Sequence, residues 1–357
     1  MYKKLFIPGP THVRKSILDA QTAPMIGHRS TEYSDLQAEV TPKLQKLLYT
    51  EQPVFIYSSS GTGVMEGAIR QTVLKRALVT VCGAFSDRWY QITAANGVPV
   101  DRIDVEWGQG FSPETVDAAL SQGDYDVLTV TLNETSTGVM NPLKEIAAMV
   151  REKYPDVVIL VDAVSAMAGV RIEVDAWDVD VVISSSQKCF ALPPGLAITA
   201  VSERALKRAE QAPNRGYYYD FLNMLKYYKR SQTPATPAVS LIQALNKQMD
   251  DILEEGLEAR WARHREMAEI VHVWARKHWA LFANEAYLSN TVTAVANTRG
   301  ISIADLNKEL GKRGAMISNG YGSKLKEKTF RIAHMGDLTP KDIRWVLGLI
   351  DDIVGLA

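Results

Sequence analysis

The chain has 357 residues, 46% of them hydrophobic and 23% charged, with 40 basic against 41 acidic side chains and a formal net charge of −1. This profile supplies a full globular core, excludes a disordered chain, and gives no basic field for nucleic acid, so Lys324, Lys326 and Lys328 read as a solvated loop. Two cysteines, Cys82 and Cys189, form neither a disulfide framework nor a metal spacing. The apolar run at Leu5, Phe6 and Ile7 is too short for a signal core and no stretch reaches transmembrane length, so a cytoplasmic protein with no metal and no membrane partner is expected.

Strands and helices then alternate along the chain. An apolar strand is predicted over 53–57, and a turn containing Gly61 and Gly63 opens a helix that runs to about 75. Further strands are predicted at 77–82, 98–105, 126–132, 157–161, 179–183 and 196–201, with helices from about 86 and near 142–153. Runs this apolar are covered on both faces, which implies a mainly parallel sheet flanked by helices. Ligands of such sheets bind beyond the carboxyl ends of the strands, so 58–63, 83–85, 133–137, 162–165 and 184–188 should converge on one crevice. From 239 to 277 the pattern is that of two long helices broken near Gly256. Strands at 291–296 and 329–333 and helices at 302–312 and 340–353, the last capped by Thr339, complete a smaller α+β unit.

Four groups of residues could carry chemistry. Lys188 follows a buried strand and the serines of SSSQKCFALPPG (184–195). Such a lysine is either a snorkelling edge residue or a reactive amine, whose pKa burial would lower. Asp162 ends the strand VVILVD, where an aspartate is a helix cap or a carboxylate that holds a proton on a bound heterocycle. Arg331, in TFRIA, is a surface arginine or a planar fork for a substrate carboxylate. The turn SSSGTG (58–63) offers a helix N-terminus and hydroxyls to a phosphate. With Gly67 it also approaches a dinucleotide fingerprint, but the next strand ends in VTVCG without the acid that a ribose requires. The loops PGPT (8–11) and GHRS (27–30) are turns or parts of a site.

In order along the chain, SSGTGVMEG (59–67), GAFSDRW (83–89), NETSTGVMNPL (133–143), VDAVSAMAG (161–169), SSSQKCFALPPG (184–195) and FRIAHMG (330–336) give nearly the whole sequence a resemblance to one family. The chain resembles the class V group of the fold-type I pyridoxal-phosphate enzymes, in its alanine/serine–glyoxylate aminotransferase-like branch. The resemblance implies a seven-stranded, mainly parallel sheet flanked by helices. It also implies an N-terminal segment at the active site (1–20), a large cofactor-binding domain (21–238), and a connecting helix with a small C-terminal domain (239–357).

By position, Lys188 is similar to the lysine that bonds pyridoxal 5'-phosphate, and Asp162 to the acid that pairs with its pyridine nitrogen. Phe85 and Val164 fall on the two faces of the ring, Ser60, Gly61, Thr62 and Gln187 at the phosphate, and Thr135 near the phenolic oxygen. Thr236, in TPATPAV, resembles a threonine that reaches the phosphate in a partner subunit, which implies a homodimer. Thr233 stands where some members carry a tyrosine. Arg331 matches the arginine for the substrate α-carboxylate, and Gly9 lies in the loop that closes over substrate.

The resemblance implies ping-pong transfer of an amino group from alanine or serine to glyoxylate or pyruvate. Aspartate or another acidic donor is the alternative, with Arg29, beside His28, as a second cationic contact. A dinucleotide-binding oxidoreductase and a binding protein that has lost catalysis are more distant readings.

Overall fold

A computed structural model describes residues 3–356. Its central sheet has seven strands: β1 (Val54–Tyr57), β2 (Ala77–Val81), β3 (Val100–Asp104), β4 (Val127–Thr131), β5 (Val158–Asp162), β6 (Val181–Ser185) and β7 (Ala197–Val201). Their order across the sheet is β1-β7-β6-β5-β4-β2-β3, and β7 alone runs antiparallel to its neighbours. Successive side chains along a strand alternate between two cores. Ile159 and Val161 face one with Leu78, while Val158 and Leu160 face the other with Val79 and Val81. Both faces are thus apolar, and each fully buried Val or Leu contributes about 1.5–3 kcal/mol. That is why these strands read as continuous hydrophobic runs.

Helix α1 (Gly61–Thr72) follows β1, and α2 (Ala84–Ala95) follows β2. Helices α3 (Val239–Glu255) and α4 (Leu257–His278) meet at Gly256, whose φ of +84° ends one helix and starts the next. A four-stranded antiparallel sheet of Ala280–Leu281, Val292–Ala296, Thr329–Ala333 and Ser318–Asn319 packs a third core around Phe330 and Ile332. Helix α5 (Pro340–Val354) covers this core, and the Thr339 hydroxyl accepts from Asp342 N at 3.3 Å as its cap. The N-terminal strand Lys4–Leu5 pairs in parallel with Ala315–Met316.

The sixth strand is shifted from its expected span by two residues, toward Lys188. Ser184 and Ser185 pair with Ile198 and Ala197, because backbone pairing does not require apolar side chains. No helix among the described residues is long and apolar enough to cross a membrane.

Candidate active site

The carboxyl ends of β1, β2, β4, β5 and β6 open on one cleft. Its lining includes Ser60, Gly61, Thr62, Phe85, Arg88, Thr135, Asp162, Val164, Ser185, Gln187 and Lys188. The convergence follows from topology: parallel strands put their carboxyl ends at one edge, and each short loop leaves its first residues there.

The β1–α1 turn presents backbone donors. Ser60 adopts an extended φ of −95° as the N-cap of α1 but makes no side-chain cap bond; the Gly63 amide donates to Ser60 O at 3.1 Å, and the N-terminus of α1 lies at the cleft. Gly61 is required by close approach, since a Cβ there would stand 2.7 Å from Val164 Cγ2.

Asp162 ends β5, is buried, and accepts from the Val164 amide at 2.8 Å. Burial raises its carboxyl to about 6 from the ordinary 3.8, Glu134 adds to the rise, and Lys188 opposes it. Lys188 is itself buried, and burial reinforced by the Arg331 charge lowers its ammonium to about 8. Its Nζ donates to the Pro8 carbonyl and stands 6.0 Å from the centre of the Phe85 ring. The N-terminal loop is held in place by Thr11, whose amide donates to Gln187 O at 3.0 Å and whose hydroxyl donates to Lys188 O at 3.0 Å. Gly9 has a φ of +117°, and a Cβ there would fall 2.7 Å from Lys188 Nζ.

Arg331 points from the small sheet toward this cleft. Its Nη1 donates to Thr135 O at 3.4 Å, and its Nε and Nη2 donate to Asn319 O at 3.2 Å. It has no carboxylate partner among the described residues, and burial draws it down to about 10, so it stays charged at neutral pH. Thr135 is buried, with its hydroxyl 2.6 Å from that of Ser165.

Three further side chains, Arg88 in the lining and Glu134 and Tyr321 against it, were not singled out from sequence. Buried Glu134 accepts from Phe85 N at 3.0 Å and from Ser86 N at 2.8 Å, which fixes the start of α2 and the Phe85 ring. Arg88 lies one turn after Phe85, with its guanidinium carbon 4.8 Å from that ring's centre. Tyr321 arrives from the small sheet's side, its ring centre 4.8 Å from that of Phe85. The spacing of Phe85 and Arg88 on one helix face is a signal the sequence carries; Tyr321 has none.

Two expected site residues stand apart. Arg29 donates to Thr233 O at 2.6 Å and to Pro234 O at 3.1 Å and lies over the Tyr227 ring. Thr236 is exposed, in a second concavity with Tyr217, Tyr218 and Thr233.

The lining fits pyridoxal phosphate. Ser185 Oγ and Gln187 Oε1 are buried polar atoms without partners among the described residues, beside the N-terminus of α1. An anionic group at this end, a ring bounded by Phe85 and Val164, a basic nitrogen at Asp162 and an aldehyde at Lys188 would satisfy each of them.

The family model of Aminotransferase class-V matches residues 15–338. The chain is 38% identical to an uncharacterised aminotransferase of Methanocaldococcus jannaschii, over 98% of this chain and 92% of that protein. It is 33% identical to an L-aspartate–glyoxylate aminotransferase of Paracoccus denitrificans, over 94% of this chain and 87% of that protein. Its fold matches a crystal structure of an alanine–glyoxylate aminotransferase from Nostoc sp. with a TM-score of 0.93 at 27% identity, over 99% of this chain and 96% of the other.

Proposed function

The chain belongs to the class V aminotransferases, which are pyridoxal-phosphate enzymes, and from that premise we propose that it moves an amino group from a small amino acid to glyoxylate, with Lys188, Asp162 and Arg331 as its working residues. The observation that carries this reading is a buried lysine and a buried aspartate at adjacent strand ends of one cleft, with an arginine at its edge that has no carboxylate partner among the described residues.

Pyridoxal phosphate, when bound, supplies an aldehyde that takes up amines and a protonated ring that draws electrons from the substrate Cα. Asp162 keeps the proton on the ring nitrogen. A charge pair of this kind is worth roughly 4 kcal/mol at about 4 Å and an effective dielectric of about 20, before desolvation. Lys188 Nζ, with its lowered pKa, is an amine for part of the time at neutral pH and can take the Cα proton and return it. Arg331 grips the α-carboxylate through two N–H groups and so orients Cα toward Lys188. Phe85 and Val164 exclude water from the ring faces, while Ser60, Gly61, Thr62 and Gln187 hold the phosphate and Thr135 stands near the phenolic oxygen. Gly9 lets the Pro8 loop approach Lys188 and cover the substrate.

A homodimer is part of the proposal. Thr236 and Tyr217, which is 75% exposed, lie on one concave face of this chain, and an exposed aromatic beside such a concavity suits burial by a second copy. Light scattering on the holoenzyme should give twice the chain mass, and a monomer would count against sharing of Thr236.

Amino transfer is tested with the holoenzyme and alanine, serine or aspartate supplied singly without an oxo acid. One donor should convert the bound cofactor to its amine form, followed by absorbance, and glyoxylate should restore it. No conversion with any donor would overturn the reading.

A further inference from the structure

We propose that Arg88 and Tyr321 form a subsite for the side-chain carboxylate of an acidic amino donor, the smallest being aspartate. The proposal rests on the aminotransferase reading and adds the substrate class to it. Arg88 lines the same cleft as Lys188 and Asp162, half-buried on α2. Its Nη1 donates to Thr62 Oγ1 at 3.2 Å and its Nη2 to Tyr321 Oη at 3.2 Å. Both acceptors are neutral and both bonds are long, whereas a guanidinium on a carboxylate closes to about 2.7–2.9 Å. Among the described residues no carboxylate pairs with Arg88. Its neighbour Asp87 is paired with Arg102 at 2.6 Å, and the Glu134 oxygens accept from Phe85, Ser86 and Ser136.

Tyr321 stands between two cations. The Arg331 guanidinium carbon lies 5.4 Å from the centre of its ring, and Arg88 donates to its hydroxyl. A hydroxyl that accepts from Arg88 still has its own proton to give. Arg88 N–H and Tyr321 O–H therefore make a pair of donors for one carboxylate, while Arg331 remains for the other. A donor with two carboxylates is matched at both ends; alanine leaves the Arg88 end unfilled. The charges agree, since Lys188 and Arg88 line the cleft and Arg331 stands beside Thr135 at its edge, three cations against the two carboxylates of Asp162 and Glu134. Arg29 does not compete for this role, because it is not among the residues that line this cleft and lies instead over the Tyr227 ring, beside Thr233 and Pro234.

The test measures kcat/KM for aspartate and for alanine, each with glyoxylate, in the wild-type holoenzyme and in Arg88→Gln, Arg88→Lys and Tyr321→Phe. In parallel, calorimetry measures binding of succinate and of butyrate to the same holoenzymes, and pyridoxal phosphate is titrated into each cofactor-free chain. Wild type should prefer aspartate to alanine and succinate to butyrate. The aspartate-to-alanine ratio should fall about 100-fold in Arg88→Gln and about tenfold in Tyr321→Phe, with partial recovery in Arg88→Lys. The succinate-to-butyrate ratio should follow, with cofactor affinity held.

Equal losses for both donors together with weakened cofactor binding would overturn the proposal and give Arg88 to the cofactor's phosphate through Thr62. A wild type without preference for either dicarboxylate would also overturn it. If no donor reacts at all, the aminotransferase reading fails, and the succinate comparison still decides whether Arg88 receives a carboxylate.

Discussion

The side-chain nitrogen of Lys188 donates to the carbonyl of Pro8, 180 residues away in sequence. The contact closes the cleft from the N-terminal side and brings Gly9 so near the amine that a Cβ at that position would overlap it. Burial first, and the like charge of Arg331 second, make this amine easier to deprotonate than one in water.

The pH dependence of cofactor attachment follows from this. Lowering the ammonium from its ordinary 10.5 to about 8 raises the amine fraction at pH 7 roughly 300-fold. The rate at which pyridoxal phosphate attaches to the cofactor-free chain should climb with pH and level off above about 8. Stopped-flow absorbance checks it. Arg331→Ala should move the levelling point upward by removing a like charge.

Arg331→Ala should also lower kcat/KM about 30- to 100-fold for the amino acid and for the oxo acid alike, mainly through KM, because both carry the carboxylate we propose it holds. Steady-state kinetics of both half-reactions measure this. An unchanged KM for both would place the carboxylate elsewhere.

Asp162 gives a prediction of opposite sign for stability and function. Its folded pKa of about 6 exceeds the ordinary 3.8, so the stability tied to its protonation is full below the ordinary value and is lost as pH rises through 6. The penalty of keeping it ionised in the cofactor-free chain is about 3 kcal/mol above pH 7. Asp162→Asn is neutral throughout. Without cofactor it should therefore melt higher than wild type at pH 8, with the gap closing toward pH 4, while losing amino transfer. Calorimetric melts at both pH values decide it.

Glu134→Ala should be costly in a different way. The substitution leaves the Phe85 and Ser86 amides and the Ser136 hydroxyl without their buried acceptor, while the Ser86 hydroxyl keeps the Gly83 carbonyl. The loss should lower stability by about 3 kcal/mol and loosen the Phe85 ring. Urea melts measure the first effect and cofactor titration the second.

The sequence showed the sheet and the cleft more fully than the connections. The strand runs are legible because both faces are buried, as with Ile159 toward one core and Leu160 toward the other, and parallel topology then forces Ser60, Phe85, Thr135, Asp162 and Lys188 to one edge. The helices Thr31–Leu48, Pro113–Leu120, Glu203–Gln211 and Phe221–Tyr228 were not read from sequence; Glu203–Gln211 buries only Ala205 and Ala209, too little for an apolar stripe. Glu134 gave no signal because an acid beside a strand reads as solvated until Phe85 and Ser86 are seen to surround it. Tyr321 reaches the cleft only through the folding of the small sheet against the large one, a long-range contact that no local pattern encodes.

The residue we propose bonds the cofactor, Lys188, is open to direct chemical identification. The holoenzyme should be reduced with borohydride, digested and mapped by mass spectrometry. A pyridoxyl adduct should appear on the peptide containing Lys188 and none in Lys188→Ala, which should still bind the cofactor without a covalent bond. An adduct on a different lysine, or attachment that survives in Lys188→Ala, would contradict this role of Lys188.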